Sequence, residues 1–303
     1  MVEFPAIGGR TGDESPLIDL YACPSCGTAL ARGHADQLIC ATGEHLYPIV
    51  VGVPDLRELQ LRPYSESVLL DVARWSAARR GRDPWRRPRA HAWAALLRMG
   101  EQIAPPPGVF VDLGAGKGEL AQAAGRLGYR AIAIDLAAPP ACPGVERARG
   151  NLEALPLSSA SVHVLAMSAS LHYARDPVRA LWEARRVLTD DGVLLITLTP
   201  VNDTPSGADL AAEHTRRAIR AAGGTGPLAT GYRHLVASDL RAVLQATGFT
   251  VTEQPSGLGW MWETRRRIQG ALNGYELARF PLLIARPLAS RSQARAPATE
   301  CRG

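Results

Sequence analysis

Lysine is almost missing from this chain: of its 34 basic residues, Lys117 is the single lysine and the rest are arginine. Phenylalanine and methionine are scarce, at four each. No apolar run approaches the roughly 18 residues of a membrane span, so a transmembrane helix is excluded. The N-terminal stretch MVEFPAIGGRTGDESP is polar and mildly acidic, unlike a secretion signal. Cysteine is also sparse: five in 303 residues, an odd number, which argues against a disulfide framework and for a reducing, cytoplasmic setting. The arginine bias, with abundant alanine and glycine, reads as GC-rich coding more than as a function. Hydrophobic residues make up 46% and charged residues 21%, so a sizeable core is available and wholesale disorder is excluded. The length allows one large domain and a small one.

The cysteines that are present are clustered. Cys23, Cys26 and Cys40 fall within an 18-residue window, and His45 follows closely. In Cys23-Pro24-Ser25-Cys26-Gly27 two thiolates three positions apart can bend round one ion, with Gly27 allowing the turn. Cys40 and His45 complete a closed tetrahedral set for zinc, with His34 as a rival fourth ligand. A closed set has no position for a substrate water, so such a zinc is structural. The flanking runs Gln37–Ile39 and Leu46–Val50 are expected as short strands, giving a zinc ribbon. Cys142 and Cys301 have no partner in sequence.

Formal charge is unevenly spread: −5 over residues 1–56, +6 over 57–98, −1 over 99–259 and +5 over 260–303. In the basic stretch, apolar residues recur with a helical period over Ser65–Ala78, and again over His91–Ile103. Arg79–Pro84 breaks the first of these helices, and Pro105-Pro106-Pro107-Gly108 ends the second. Strands and helices then alternate. Val109–Leu113, Ala131–Leu136, Val162–Met167 and Val193–Leu198 are expected as strands. Helices are expected over Glu119–Leu127, Pro177–Leu188, Asp209–Ala222 and Ala237–Ala246. Phe249–Glu253 and Phe280–Ala285 close the pattern as strands. Such alternation implies a mostly parallel sheet covered by helices on both faces.

The stretch richest in chemistry is Val111-Asp112-Leu113-Gly114-Ala115-Gly116-Lys117-Gly118-Glu119. It reads as strand, glycine turn and helix, so backbone amides at a helix start can meet a ligand closely. NAD enzymes place G-x-G-x-x-G there, but here the third glycine comes one residue early. Asp112, two residues before Gly114, would repel a pyrophosphate and suits a cationic ligand, such as a sulfonium bearing an amino group. Asp135 ends the next strand, where an acid receives the hydroxyls of a ribose. Asn151, in Gly150-Asn151-Leu152-Glu153-Ala154-Leu155-Pro156-Leu157, is placed to bond an adenine edge, with Leu136 and Leu152 on its faces.

These motifs, with Ser168-Ala169-Ser170-Leu171-His172-Tyr173, Asp176-Pro177 and Glu183–Gly192, resemble the class I S-adenosylmethionine (SAM)-dependent methyltransferases of the branch called type 11. The resemblance covers Val109 to Pro200. The ribbon, ending in Tyr47-Pro48-Ile49-Val50-Val51-Gly52-Val53-Pro54-Asp55, resembles Trm112-like domains. A zinc ribbon ahead of a methyltransferase core is also the layout of bacterial rRNA guanine-N1 methyltransferases. The resemblance implies an α/β fold: a Rossmann-like, doubly wound, mostly parallel seven-stranded sheet, with a small zinc ribbon and a helical connector. It implies SAM held by Asp112, Gly114, Ala115, Gly116, Gly118, Asp135, Leu136, Asn151, Leu152 and Ser168. The sequence departs from the family where Asn151 replaces the usual Asp, and where Val162-His163 replaces Phe-Asp.

Methyl transfer from a sulfonium is an in-line substitution in which the protein supplies alignment and sometimes a base. His172 and Tyr173 follow the fourth strand and His234 follows Gly231-Tyr232-Arg233; these are the catalytic candidates. No Asn/Asp-Pro-Pro-Tyr run follows the fourth strand, which argues against amino-group methylation of adenine bases. No cysteine lies there either, which argues against cytosine-C5 chemistry. The expected organisation is a flexible leader at 1–15, a ribbon at 16–57, an Arg-rich helical connector at 58–104, the methyltransferase domain at 105–286 and a disordered tail at 287–303. The expected activity is methyl transfer to a small molecule. The alternatives are RNA methylation, with the ribbon and the Arg-rich segment gripping the backbone and Trp75, Trp85 and Trp93 interleaved, and a SAM- or partner-binding protein without methyl transfer. Chelation of the zinc is expected to unfold the ribbon without displacing SAM from the core.

Overall fold

The computed structural model describes residues 19–34, 36–78, 85–255, 258–259, 262, 264, 266, 268 and 277–288. The expected leader, the Arg79–Pro84 breaker and all but the first residues of the tail lie outside them.

The chain begins with an antiparallel meander of β1 (Leu30–Arg32), β2 (Gln37–Cys40), β3 (Leu46–Val50) and β4 (Val53–Pro54), paired in that order. Period-two alternation turns Leu38 and Cys40 of β2 and Tyr47 of β3 inward. Val51 and Gly52, both at positive φ (50° and 72°), make the two-residue hairpin between β3 and β4. The strands at β1 and β4 were not expected: they are short and carry little apolar pattern.

Two helices follow, α1 (Arg62–Ala78) and α2 (Arg86–Ile103). Each starts earlier than its apolar period, because Pro63 and Pro88 sit in first turns where no amide partner is lost. The basic stretch is helical, but it is not a tether. Leu96 of α2 packs with Phe110 and Val164 of the main sheet. Val68 of α1 packs with Ala212, Ile219 and Tyr232 far along the chain.

The remaining elements are β5 (Val109–Leu113), α3 (Glu119–Arg126), β6 (Arg130–Asp135), β7 (Val145–Arg149), β8 (Val162–Ser168), α4 (Pro177–Val187) and β9 (Leu188–Thr197). After them come β10 (Val201–Asn202), α5 (Pro205–Ala221), α6 (Pro227–Gly231), β11 (Leu235–Val236), α7 (Ala237–Ala246), β12 (Phe249–Gln254) and β13 (Leu282–Pro287). Seven strands form one sheet in the order β12-β13-β9-β8-β5-β6-β7. Only β13 runs against its neighbours β9 and β12, so the expected doubly wound, mostly parallel sheet is present. β7 was missed because Val145-Glu146-Arg147-Ala148-Arg149 alternates charge at a sheet edge. Asp190-Asp191-Gly192 does not end a segment. Val162 pairs with Leu188 and Val164 with Val193, so Thr189–Gly192 bulges out of a continuous β9.

Two cores follow from alternation along the strands. On one face Phe110, Ala131, Ala133, Val164, Ala166 and Leu195 meet α2 and α3. On the other Val111, Leu113, Ile132, Ile134, Leu165 and Ile196 meet α4 and α7, and the same cluster continues into the ribbon through Tyr47, Cys40, Leu38 and Leu56. Ribbon and sheet are joined by backbone as well: Ala22 N–H donates to Pro156 O (3.2 Å), Ser158 N–H to Leu20 O (2.9 Å) and Leu56 N–H to Arg149 O (2.9 Å). A third cluster caps the carboxyl end of the sheet, built from α1, α5 and α6. Its keystone is Asp71 of α1, 1% exposed. The carboxylate accepts from the amides of Thr225 (3.1 Å), Gly226 (2.9 Å), Leu228 (2.9 Å) and Ala229 (3.3 Å).

Candidate active site

Strand order reverses at β5, whose neighbours are β6 and β8, so a crevice opens beyond the carboxyl ends of these strands. The glycine turn sits there. Gly114, Gly116 and Gly118 all have positive φ (75°, 53° and 72°). A Cβ on Gly114 would lie 2.4 Å from the Ser170 Cβ, whereas one on Gly116 would meet nothing within 4 Å. Gly114 is therefore required by packing, and Gly116 faces open space in which a ligand can approach the backbone. Ala115 lies between them and donates its amide to Ile134 O (3.2 Å).

Asp112 is 2% exposed. Burial, and then the nearby Asp135 carboxylate, push its pKa up to about 7. A carboxyl so placed is poised to ionise when a cation arrives. Asp135 accepts from the amides of Gly116 (2.8 Å) and Ala137 (3.1 Å), and burial raises its pKa too. Asn151 is buried and donates through Nδ2 to Ser65 Oγ of α1 (2.8 Å). Its Oδ1 has no partner among the described residues. That free acceptor is what an adenine amino group needs, so replacing the usual Asp keeps the essential atom. Leu136 packs against the cap and Leu152 against the core under the sheet. Ser168 has a different engagement: its Oγ accepts from Trp93 Nε1 at 2.7 Å.

Beyond β8 and β9 the backbone turns sharply. Ala169 and Leu198 both adopt positive φ (57° and 55°), a strained conformation for residues with side chains. Several buried polar groups lie near these turns. Among the described residues, Ser170 Oγ, Thr197 Oγ1, Thr199 Oγ1, His172 Nδ1 and Asn151 Oδ1 are buried without hydrogen-bond partners. Each such atom costs about 1–3 kcal/mol if left unmet. Their convergence at one end of the sheet marks a place that a ligand completes.

The structure gathers the three catalytic candidates around a residue that sequence reading did not single out. Tyr232 lies in ring contact with His172 (5.5 Å between centroids), Tyr173 (5.7 Å), His234 (5.9 Å) and Trp75 (6.3 Å). The His172 and Tyr173 rings lie 4.4 Å apart, tilted by 39°. Burial, and then His234, lower the His172 pKa to about 3, so its imidazole is neutral. Tyr232 could have been noticed only as an aromatic beside His234; the contact depends on the cap.

At the ribbon, one donor atom each of Cys23, Cys26, Cys40 and His45 lies within 4.8 Å of the others. His34 is not in this group. Gly27 N–H donates to Cys23 O (2.7 Å) and Gly43 N–H to Cys40 O (2.8 Å), closing both loops at positive-φ glycines. Burial opposes ionisation of Cys40, yet the Thr42 hydroxyl and His45 groups hold its thiol down to about 5. Three sulfurs and an imidazole at this spacing fit a tetrahedral zinc.

Residues 111–196 match the family profile described as a methyltransferase domain. The chain carries a methyltransferase domain of the SAM-dependent kind. The methyltransferase also carries a segment like the UPF0434 protein of Shewanella oneidensis: 41% identity over 56 residues, 18% of this chain and 95% of that protein. Among solved structures, 1,6-didemethyltoxoflavin-N1-methyltransferase of Burkholderia thailandensis, bound to its acceptor and S-adenosylhomocysteine, shares the fold. It has a TM-score of 0.51 and 19% identity over 86% of this chain and 99% of that one. The methyltransferase in complex with the Trm112 activator of Haloferax volcanii gives a TM-score of 0.47 and 15% identity, over 76% and 96%. Among the described residues, no helix of the methyltransferase is long and apolar enough to cross a membrane.

Proposed function

We propose that this methyltransferase transfers the SAM methyl group to a small molecule held between the carboxyl end of the sheet and the α1–α5–α6 cap. The observation that carries this reading is the ring cluster of His172, Tyr173, Tyr232 and His234 beneath the cap, beside buried polar atoms that await partners. The cofactor brings a methyl group on a sulfonium. Asp112 faces its positive charge, Gly114, Ala115, Gly116 and Gly118 admit it to the backbone, and Asp135 takes the ribose hydroxyls. Asn151 takes the adenine amino group between Leu136 and Leu152. Ser168 acts through Trp93, fixing α2 against the strand end. The Burkholderia thailandensis relative holds 1,6-didemethyltoxoflavin together with S-adenosylhomocysteine, and the aromatic walls here can likewise hold a small molecule. Zinc at Cys23, Cys26, Cys40 and His45 is a structural ion.

The tryptophans argue against the RNA alternative. Trp75 is against Tyr232, Trp93 bonds Ser168, and Trp85 lies 4.8 Å from Trp262 and 4.9 Å from Phe280. None is free to stack on bases. Calorimetry with SAM tests the proposal. Wild-type protein should bind with a Kd in the micromolar range, and Asp112→Ala should abolish the heat. Unchanged affinity in that variant would move the cofactor elsewhere, and RNA retention at low salt would restore the alternative.

A further inference from the structure

We infer that Asn202 is a positioning residue that locks His234 with its proton on Nδ1, leaving Nε2 as the base facing an acceptor with an acidic ring N–H or hydroxyl. The inference rests on the acceptor site proposed above and names its chemistry.

His234 Nδ1 lies 3.0 Å from Asn202 Oδ1. An amide oxygen only accepts, so the hydrogen is on Nδ1 and the lone pair on Nε2. Both partners are held by the chain. Asn202 is fully buried, and β10 pairs with β11 through Val201↔Leu235 and Asn202↔Val236. Leu235 N–H also donates to Pro200 O (3.0 Å), so the residue next to His234 is tied to the end of β9. His234 is half-buried and its ring lies edge-on to Tyr232 at 5.9 Å, so it borders both the proposed acceptor site and solvent. His172 lacks that second property: it is 4% exposed and lies against Tyr173. His172 therefore shapes the site, and His234 exchanges protons.

The rings of Tyr173, Tyr232 and His234 wall the site and suit a planar acceptor, and the charges around His234 agree with one. Burial, then Arg266, then Arg216 of α5 disfavour an imidazolium and lower the His234 pKa to about 4. The His172 imidazole, across Tyr232 from it, is neutral as well. The lone pair is thus available throughout the physiological range, but the base is weak. It cannot deprotonate an alkylammonium of pKa ~10. It can take a proton from a heteroaromatic N–H or an aromatic hydroxyl, which becomes strongly acidic as its heteroatom is methylated. In that step Nε2 gains the acceptor's proton, and the pair freed on the acceptor forms the bond to the methyl carbon. The pair of the broken carbon–sulfur bond stays on sulfur as the neutral thioether. The imidazolium keeps its Nδ1 hydrogen bond to Asn202 and releases the new proton to solvent.

The test uses the full chain labelled with nitrogen-15 histidine and saturated with S-adenosylhomocysteine. His234 is assigned as the imidazole lost in His234→Gln. Between about pH 6 and pH 8 it should show the Nδ1–H tautomer in wild type. Asn202→Ala should convert it to a mixture or to Nε2–H. Asn202→Asp should keep Nδ1–H and raise its titration midpoint by about one pH unit or more. If Asn202→Ala does not fold, the Asp variant carries the comparison, and an unmoved midpoint there overturns the lock. An Nε2–H tautomer in wild type, or unchanged Nδ1–H in Asn202→Ala, does the same. Calorimetry with S-adenosylhomocysteine separates the two readings: lost binding in wild type sinks the methyl-transfer site, whereas a wrong tautomer with intact binding sinks only the lock. Lumazine, a planar N–H acid, and ethanolamine are then titrated in. Movement of the Nε2 signal by lumazine alone supports the acceptor class; movement by ethanolamine, or by neither, overturns it.

Discussion

At the scale of single residues, Asp112 is the most demanding group in the site. It is buried beside another carboxylate, and its pKa of about 7 lies well above the ordinary Asp value. The sign for stability follows. A raised carboxyl contributes stability that is complete below the unfolded pKa of 3.8 and is lost as pH rises through about 7. The empty site is therefore strained at pH 8, and a cationic ligand relieves that strain. Below about 7 the carboxyl is protonated and must release its proton before it can face the charge. SAM should accordingly bind about tenfold more weakly at pH 6 than at pH 8, if the complex keeps Asp112 ionised throughout. Calorimetry at the two pH values checks this, and Asp112→Asn should show weak binding without the pH dependence. A flat wild-type profile would mean that another group faces the cation. Asp112 was legible in the sequence because its spacing to the glycines carries the chemistry. Tyr232 and Asn202 were not, because nothing in their neighbours announces a contact that forms only when α6 and β11 fold over the sheet.

At the scale of elements, the cap depends on a single carboxylate. Four amides at the start of α6, a helix of five residues, converge on Asp71. Such a helix is too short to hold itself, so α1 supplies its N-terminal charge and its hydrogen bonds. Asp71→Ala leaves those amides unmet and should cost about 3 kcal/mol. Because Leu136 and Tyr173 pack against the same cluster, the loss should also loosen the cofactor and acceptor walls. Melting and limited proteolysis between residues 223 and 231 check this; an unchanged midpoint with no new cleavage would contradict it. The helices and inner strands were legible from their periods. The cap was not, since α1 read as part of a connector. Its partners, Ala212, Ile219 and Leu228, lie some 140 to 160 positions away, and no local pattern reports such a pairing. The arginine run had the same ambiguity, because the contacts of Trp75, Trp85 and Trp93 are also made with residues distant in sequence.

At the scale of the whole molecule, the apolar core of the ribbon is continuous with that of the sheet, which argues against the ribbon unfolding alone. A ribbon joined by a tether would unfold alone on loss of its metal. Here its core is continuous with the sheet, and its last residues run beside the β7 edge. Asp55 pairs with Arg57 (2.7 Å) and with Arg149 (3.1 Å), and Arg149 also meets Glu66 of α1 (3.2 Å). Arg57 is paired with Glu66 as well. Arg149 Nε donates in turn to Leu136 O (3.0 Å), directly behind the proposed adenine pocket. Removing one member of the buried Asp55–Arg57 pair costs about 3–5 kcal/mol, while the more exposed Glu66 contributes less. The other seam, Ala22 to Pro156 and Leu20 to Ser158, holds the loop that follows Asn151. Chelation of the proposed zinc should therefore lower the melting point of the whole chain in one transition, because ion binding is linked to the folding of everything it supports. SAM affinity should fall by about tenfold, equivalent to 1.4 kcal/mol, as the Leu136 and Asn151 loops lose their support. Arg149→Met should reproduce the affinity loss with metal still bound, which separates the coupling path from the ion itself. Two separate transitions, with SAM affinity unchanged by chelator, would show instead that the ribbon is an independent unit.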